Sequence, residues 1–154
     1  MMNPFTFNTT PSLRMDAGLA GELGKITRPI CGDRVLLVTD PGMMATGLVQ
    51  QATDGLRAAG VAVTLFDQVQ ADPPESIVLH AAQQARGVTG VIGFGGGSSL
   101  DVAKLAALLA ASGQPLAEAY GVGNAQGPRL PLVLVPTTAG TGSEVTPISI
   151  VTTG

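Results

Sequence analysis

One continuous apolar run of strand length, V-L-L-V-T-D at 35–40, sets the tightest limit on how this chain folds, and G-V-I-G-F at 90–94 and L-P-L-V-L-V-P at 130–136 read as further strands. A strand with one wet face alternates apolar with polar residues, whereas an unbroken run suits a strand buried on both faces, as in a parallel sheet. A fourth run of similar length, V-A-V-T-L-F, lies at 61–66. Helical patterns separate them. Residues 43–59 place Met44, Leu48, Gln51, Ala52 and Leu56 at helical spacing, with Gly60 to close the helix. Asp72-Pro73-Pro74 opens a helix to about Arg86, since proline is tolerated in a first turn. A third helix is predicted from Ser98 to about Ala111.

The order β-α-β-α-β-α-β predicts an α/β fold, a Rossmann-like, doubly wound and mainly parallel sheet flanked by helices with right-handed crossovers. Short strands are predicted at 5–7 and 12–16 around Pro11, and a short helix at 17–28. The alternating T-P-I-S-I-V-T-T at 146–153 predicts a last strand. No repeat, low-complexity tract or linker divides the chain, so residues 1–154 read as one domain, long enough to bury a core.

Composition removes several function classes. Charged residues make up 12% of the chain, about half the usual share of roughly 25%. Two readings of so few charges stay open: part of the surface faces another domain or subunit, or the surface is simply rich in Ala and Gly. A net charge of −3, an aromatic content of 3% and the lack of any Lys/Arg cluster argue against a nucleic-acid partner. They do not argue against a phosphate ligand, which backbone N–H groups can bind unaided. The single cysteine, Cys31, permits no intrachain disulfide and reads as a small apolar filler. The stretch M-M-N-P-F-T-F-N-T-T-P-S-L-R has no signal-peptide pattern, and no apolar run approaches the ~18 residues of a membrane span. The expectation is a cytoplasmic protein with no membrane partner. His80, the only histidine, falls within a helix pattern and reads as a surface or packing residue. No set of His, Cys and carboxylates converges in the sequence, so no metal ligand is assigned.

The chemistry concentrates in two loops. G-F-G-G-G-S-S-L-D-V-A-K at 93–104 joins the third strand to a helix. It is not a Walker A loop, because Lys104 is preceded by Ala103 and followed by Leu105. Nor is it the G-x-G-x-x-G fingerprint, whose third glycine would fall on Ser98 and which belongs after the first strand. Three consecutive glycines nonetheless let a ligand approach the backbone closely. Ser98 or Ser99 is a suitable N-cap, and Asp101 completes an S-x-x-D capping pattern with Ser98. The helix N-terminus then offers N–H groups and partial positive charge to a pyrophosphate. The second loop, P-T-T-A-G-T-G-S-E-V-T at 136–146, follows the next strand and is rich in hydroxyls and glycines. Asp40 closes the first strand. A carboxylate there can accept hydrogen bonds from ribose hydroxyls and repel a 2′-phosphate; alternatively it only forms the turn before Pro41-Gly42.

G-G-G-S-S-L-D-V-A-K at 95–104 followed by P-T-T-A-G-T-G-S-E-V-T at 136–146 resembles the iron-containing (group III) alcohol dehydrogenases, and the likeness extends from about residue 5 to 154. The resemblance implies an N-terminal dinucleotide-binding domain. Gly96, Gly97 and Ser98 would bind the cofactor diphosphate, and Thr137, Thr138, Thr141 and Thr146 would lie along the cofactor. Asp101 matches a family aspartate near the cofactor, and also can cap its helix and pair with Lys104. Glu144 matches the motif and is expected to satisfy loop N–H groups. Asp40 is often present in the family and implies NAD rather than NADP. Asp72 departs from the asparagine common in relatives.

The family's metal, Fe2+ or another divalent ion, is held by a C-terminal helical domain absent from these 154 residues. The expectation is therefore a truncated, cofactor-binding part of an alcohol dehydrogenase, itself without catalytic residues or turnover, within a homo-oligomer acting on a small alcohol or carbonyl. A glycerol dehydrogenase or dehydroquinate-synthase-like domain is the related alternative; a maleylacetate-reductase-like reading fits Asp101 and Lys104 less well. A non-catalytic nucleotide-binding module is the alternative of another class.

Overall fold

The computed structural model describes residues 10–153. Its centre is one sheet of four parallel strands: β1 (Arg34–Val38), β2 (Ala62–Phe66), β3 (Gly90–Gly95) and β4 (Leu132–Pro136), in the order β2-β1-β3-β4. The register pairs Leu36 with Thr64 on one side and Val91 on the other, and Gly93 with Leu134. Pleating sorts the apolar run of β1 between two cores. Val35 and Leu37 join Ile92 and Phe94 beneath α1 (Leu23–Cys31) and α3 (Leu48–Ala58). Leu36 and Val38 join Val91 beneath α4 (Glu75–Gln84) and α5 (Gly97–Ser112). The central strands β1 and β3 are buried on both faces, the edge strand β4 is half-buried and the edge strand β2 is largely exposed, and the expected α/β, doubly wound sheet is present.

The placement of α5 positions everything that follows. Gly93 has no Cβ, and one built there would lie 2.8 Å from Ala103 Cβ and 2.9 Å from Leu134 Cδ2. The helix therefore rests directly on β3, with its N-terminus at the carboxyl edge of the sheet.

Several expected elements differ. Of the two short early strands, 5–7 lies outside the described residues, and 12–16 forms no strand. The expected helix at 17–28 is a 3₁₀ turn (Leu19–Glu22) followed by α1, which continues past Pro29 to Cys31. The single helix expected at 43–59 is two, α2 (Pro41–Ala45) and α3, because Gly47 at φ 78° turns the chain into the left-handed region between them. Helix α4 starts at Glu75 rather than Asp72. A proline pushes its predecessor out of helical angles, and Pro74 stands extended as the N-cap. The strand expected at 146–153 is reduced to one parallel bridge between Thr152 and Pro74. Its backbone groups bond to α5 side chains and to the loop before α4 instead of a ladder. No helix among the described residues is long and apolar enough to cross a membrane.

Candidate functional site

The strand order reverses between β1 and β3, so the segments leaving their carboxyl ends part to opposite faces and open a crevice. Open α/β sheets bind ligands at such points. A cleft of about 420 Å³ lies here, lined by Asp40 and Pro41 after β1, Val69, Gln70 and Ala71 after β2, and Gly96, Gly97, Ser98 and Ser99 after β3. This topology explains why the glycine loop follows the third strand. In this strand order β3, rather than the second strand of the chain, flanks β1 at the reversal.

The N-terminus of α5 faces the cleft uncapped. Its N-cap residue is Gly96, with no side-chain cap, and the expected Ser98-to-Asp101 capping pattern does not form. The helix begins one residue earlier than predicted, which places both serines inside its first turn. Its first backbone bond runs from Leu100 N–H to Gly96 O at 3.1 Å, leaving the N–H groups of Gly97, Ser98 and Ser99 without helical partners. Ser99 Oγ donates to Asp40 Oδ2 at 3.0 Å instead. No Lys or Arg lines the cleft, so an anion bound there relies on the backbone amides and the helix dipole.

Two neighbouring glycines differ in what the structure demands of them. Gly95 has φ 145°, and a Cβ on it would lie 2.9 Å from Ser99 Oγ and 3.0 Å from Asp40 Oδ2. Gly96 has φ −78° and ψ −177°, angles open to any residue. A Cβ on Gly96 would meet nothing nearer than Thr138 Cγ2 at 3.6 Å. Neither the backbone nor the packing calls for a glycine at 96.

Asp40 serves the fold and also faces the cleft. Its Oδ1 accepts the Met43 N–H at 3.0 Å, capping α2, while its Oδ2 takes the Ser99 hydroxyl. A carboxylate has about four acceptor positions, so two remain for a ligand.

The hydroxyl loop flanks the glycine loop without lining the cleft. Thr137 N–H donates to Gly95 O at 2.9 Å, extending the pairing of β3 with β4. Thr138 adjoins Gly96, and Thr141 and Ser143 crowd Gly97, where a Cβ would lie 3.2 Å from Thr141 Cβ and from Ser143 Oγ. Thr137, Thr138, Thr141 and Thr146 are all exposed. The Thr146 carbonyl accepts from Lys104 Nζ at 3.3 Å.

Asp101 is buried away from the cleft. Its Oδ1 lies 2.9 Å from Lys104 Nζ, as a charge pair without hydrogen-bond alignment, and its Oδ2 accepts the Ile150 N–H at 3.0 Å. Glu144 does not satisfy the loop N–H groups as expected: its Oε2 is buried without a hydrogen-bond partner. Val69, Gln70 and Ala71 were not legible as site residues. Nothing in Q-V-Q-A flags a binding loop, and only the strand order brings the end of β2 beside β1.

The model for iron-containing alcohol dehydrogenase matches residues 10–154. The chain belongs to this family. It is 33% identical over 148 residues to the NAD-dependent methanol dehydrogenase of Bacillus methanolicus, covering 95% of this chain and 39% of that protein. It is equally identical over the same length to the sulfoacetaldehyde reductase of Bilophila wadsworthia, covering 95% of this chain and 38% of that protein. The crystal structure of NADH-dependent butanol dehydrogenase A from Thermotoga maritima superposes with a TM-score of 0.89 at 27% identity, over 99% of this chain and 39% of that one. The chain thus spans about two-fifths of the length of these relatives.

The family's two cofactors fit these residues unequally. A dinucleotide fits: the cleft, the uncapped helix and the open backbone at Gly96 suit a diphosphate. A metal does not, because no group of three or more His, Cys, Asp or Glu among the described residues could hold one. His80 packs edge-on against Phe66, with ring centroids 5.3 Å apart, and bonds Gln84 at 3.2 Å. Cys31 is buried, and that burial pushes its thiol up to about 11, against a smaller opposite pull from Arg129.

Proposed function

We propose that this chain is the dinucleotide-binding part of an alcohol dehydrogenase that moves hydride between a small alcohol or carbonyl and NAD. The observation that carries this reading is Gly96, a glycine required by neither angle nor packing, at an uncapped helix N-terminus in the cleft where strand order reverses. The amides of Gly97 and Ser98, with the Gly96 backbone, hold the diphosphate. Asp40 takes the adenosine ribose hydroxyls and disfavours a 2′-phosphate. Thr137, Thr138, Thr141 and Thr146 flank the cofactor along the neighbouring loop. The nicotinamide supplies the hydride chemistry when bound, and this chain's part is to bind and orient it.

The metal ligands and most substrate contacts belong, in this reading, to the remaining length of the relatives, and residues 1–154 alone give no turnover. A cytoplasmic homo-oligomer is part of the same proposal.

Calorimetry with NAD and NADP tests the binding half. NAD is expected to bind at least about tenfold more tightly, and Asp40→Ser to narrow the gap, since a repelled charge is worth roughly a kcal/mol or more near a surface. Equal affinities, or no binding of either, overturn it. Metal-dependent alcohol oxidation by residues 1–154 alone overturns the second half.

A further inference from the structure

The segment that follows the hydroxyl loop crosses α5 and ends on the far side of the cleft. Lys104, nearly buried, donates from Nζ to the carbonyls of Ser143 at 2.9 Å, Thr146 at 3.3 Å and Ile148. An ammonium has three donors and no acceptor, so this one is committed to the backbone of the segment. Asp101 neutralises it and holds the Ile150 N–H. Two residues on, Thr152 N–H donates to Pro73 O at 2.9 Å, and Thr152 Oγ1 donates to Asp72 O at 3.0 Å. Asp72 is the one non-glycine residue with positive φ among those described, at 49°. It directly follows Val69–Ala71, which line the cleft opposite the glycine loop.

We propose that residues 143–152 form a brace, locked to α5 by the Asp101–Lys104 pair, that holds the Val69–Ala71 wall of the cleft at working distance from Gly96–Ser99. Lys104, Asp101 and Thr152 are then positioning residues that act on the dinucleotide through the loop rather than by contact. Three features support this. The pair sits buried where a lone charge would be costly, its donors go to the segment rather than to the cleft, and the segment's end bonds to the carbonyls of Asp72 and Pro73. Asp72, held in the left-handed region that Asn and Gly adopt more easily, is the residue where slackening of the brace would first let the loop relax. The inference rests on the proposed reading of the cleft as a dinucleotide site.

A double-mutant cycle with Lys104→Met and Thr152→Val tests it, read by NAD affinity and by amide hydrogen exchange at Val69–Ala71. Lys104→Met is expected to speed exchange at 69–71 and weaken NAD binding about tenfold, and Thr152→Val about threefold. The double variant should bind no more weakly than Lys104→Met, because the brace is already released, and Lys104→Arg should recover most of the affinity. Additive losses, or lost affinity with unchanged exchange at 69–71, overturn the brace. Should the unsubstituted protein bind no dinucleotide, the proposed function fails and the exchange arm still decides the brace. Should Lys104→Met not fold, Thr152→Val decides alone: faster exchange at 69–71 with α5 amides unchanged supports the brace, and no acceleration overturns it.

Discussion

The two ends of β3 both carry glycine, for opposite reasons. At its start, a Cβ on Gly90 would collide with Cys31 Cβ and lie 2.8 Å from Cys31 Cα, so the missing side chain is space that α1 occupies. Just beyond its far end, a Cβ on Gly96 would make only an ordinary contact with Thr138, 3.6 Å away. One glycine is filled from within the protein. The other leaves backbone bare toward a cleft, and in the proposed function a bound dinucleotide gives that bareness a use. Under the proposed function, the contrast separates a glycine that serves packing from one that serves binding, which sequence alone does not.

The largest expected effect breaks the packing end. Gly90→Ala forces a methyl into Cys31 and the backbone behind it. Overpacking of a rigid core typically costs about 1–3 kcal/mol, and the backbone contact places this site near 3. Denaturant unfolding measures it; a loss under about 0.5 kcal/mol would mean that α1 yields easily and the contrast is false.

Cys31 sharpens the same end with pH. Burial raises its thiol from 9.0 to about 11, so the folded state keeps a proton that the unfolded chain releases. The stability tied to this thiol is whole below pH 9 and falls as pH rises toward 11. Two units correspond to about 2–3 kcal/mol at the upper end. Cys31→Ala is expected to remove that part of the alkaline slope and leave the rest. Identical slopes in the two proteins would show that the thiol is not sealed in the folded state.

Gly96→Ala probes the binding end. The substitution narrows the unfolded ensemble, worth about 0.4–1 kcal/mol, and replaces a tolerated N-cap glycine by a poorer alanine, a cost of similar size. Net stability should stay within about 0.5 kcal/mol while NAD affinity falls about tenfold if the diphosphate lies against the Gly96 backbone as proposed. Unchanged affinity would remove the main support for the cleft as the binding site.

Much of the fold was legible because apolar runs of strand length mark all four strands, which lie within or beside the expected spans, and burial on both faces accounts for those of β1 and β3. What was not legible depended on partners distant in sequence. The alternation at 146–153 predicts a strand, but Lys104 and Asp101 claim its backbone from another element. The S-x-x-D pattern at 98–101 predicts a cap, but the helix starts at Gly97, which puts Ser98 inside its first turn, and Lys104 draws Asp101. Asp40 and the glycine loop were recognisable from composition and position. Val69–Ala71 carry no unusual residue and became part of the site only through strand order.

The smallest expected stability change asks whether the hydroxyl loop belongs with Gly96 or with Gly90. Thr137 and Thr138 are exposed, and among the described residues the only side-chain hydrogen-bond partner of either is Met43 Sδ, 3.5 Å from Thr137 Oγ1. Thr137→Val and Thr138→Val should therefore move stability by no more than about 0.5 kcal/mol, the usual range for surface changes. A lost hydrogen bond to a ligand is worth about 0.5–1.5 kcal/mol, which is roughly two- to tenfold in NAD affinity for each hydroxyl that touches it. Such a loss without a stability change places this loop on the binding side of the contrast. If both variants bind NAD as tightly as the unsubstituted chain, the loop only braces the glycine turn, as Thr141 and Ser143 do where they pack against Gly97.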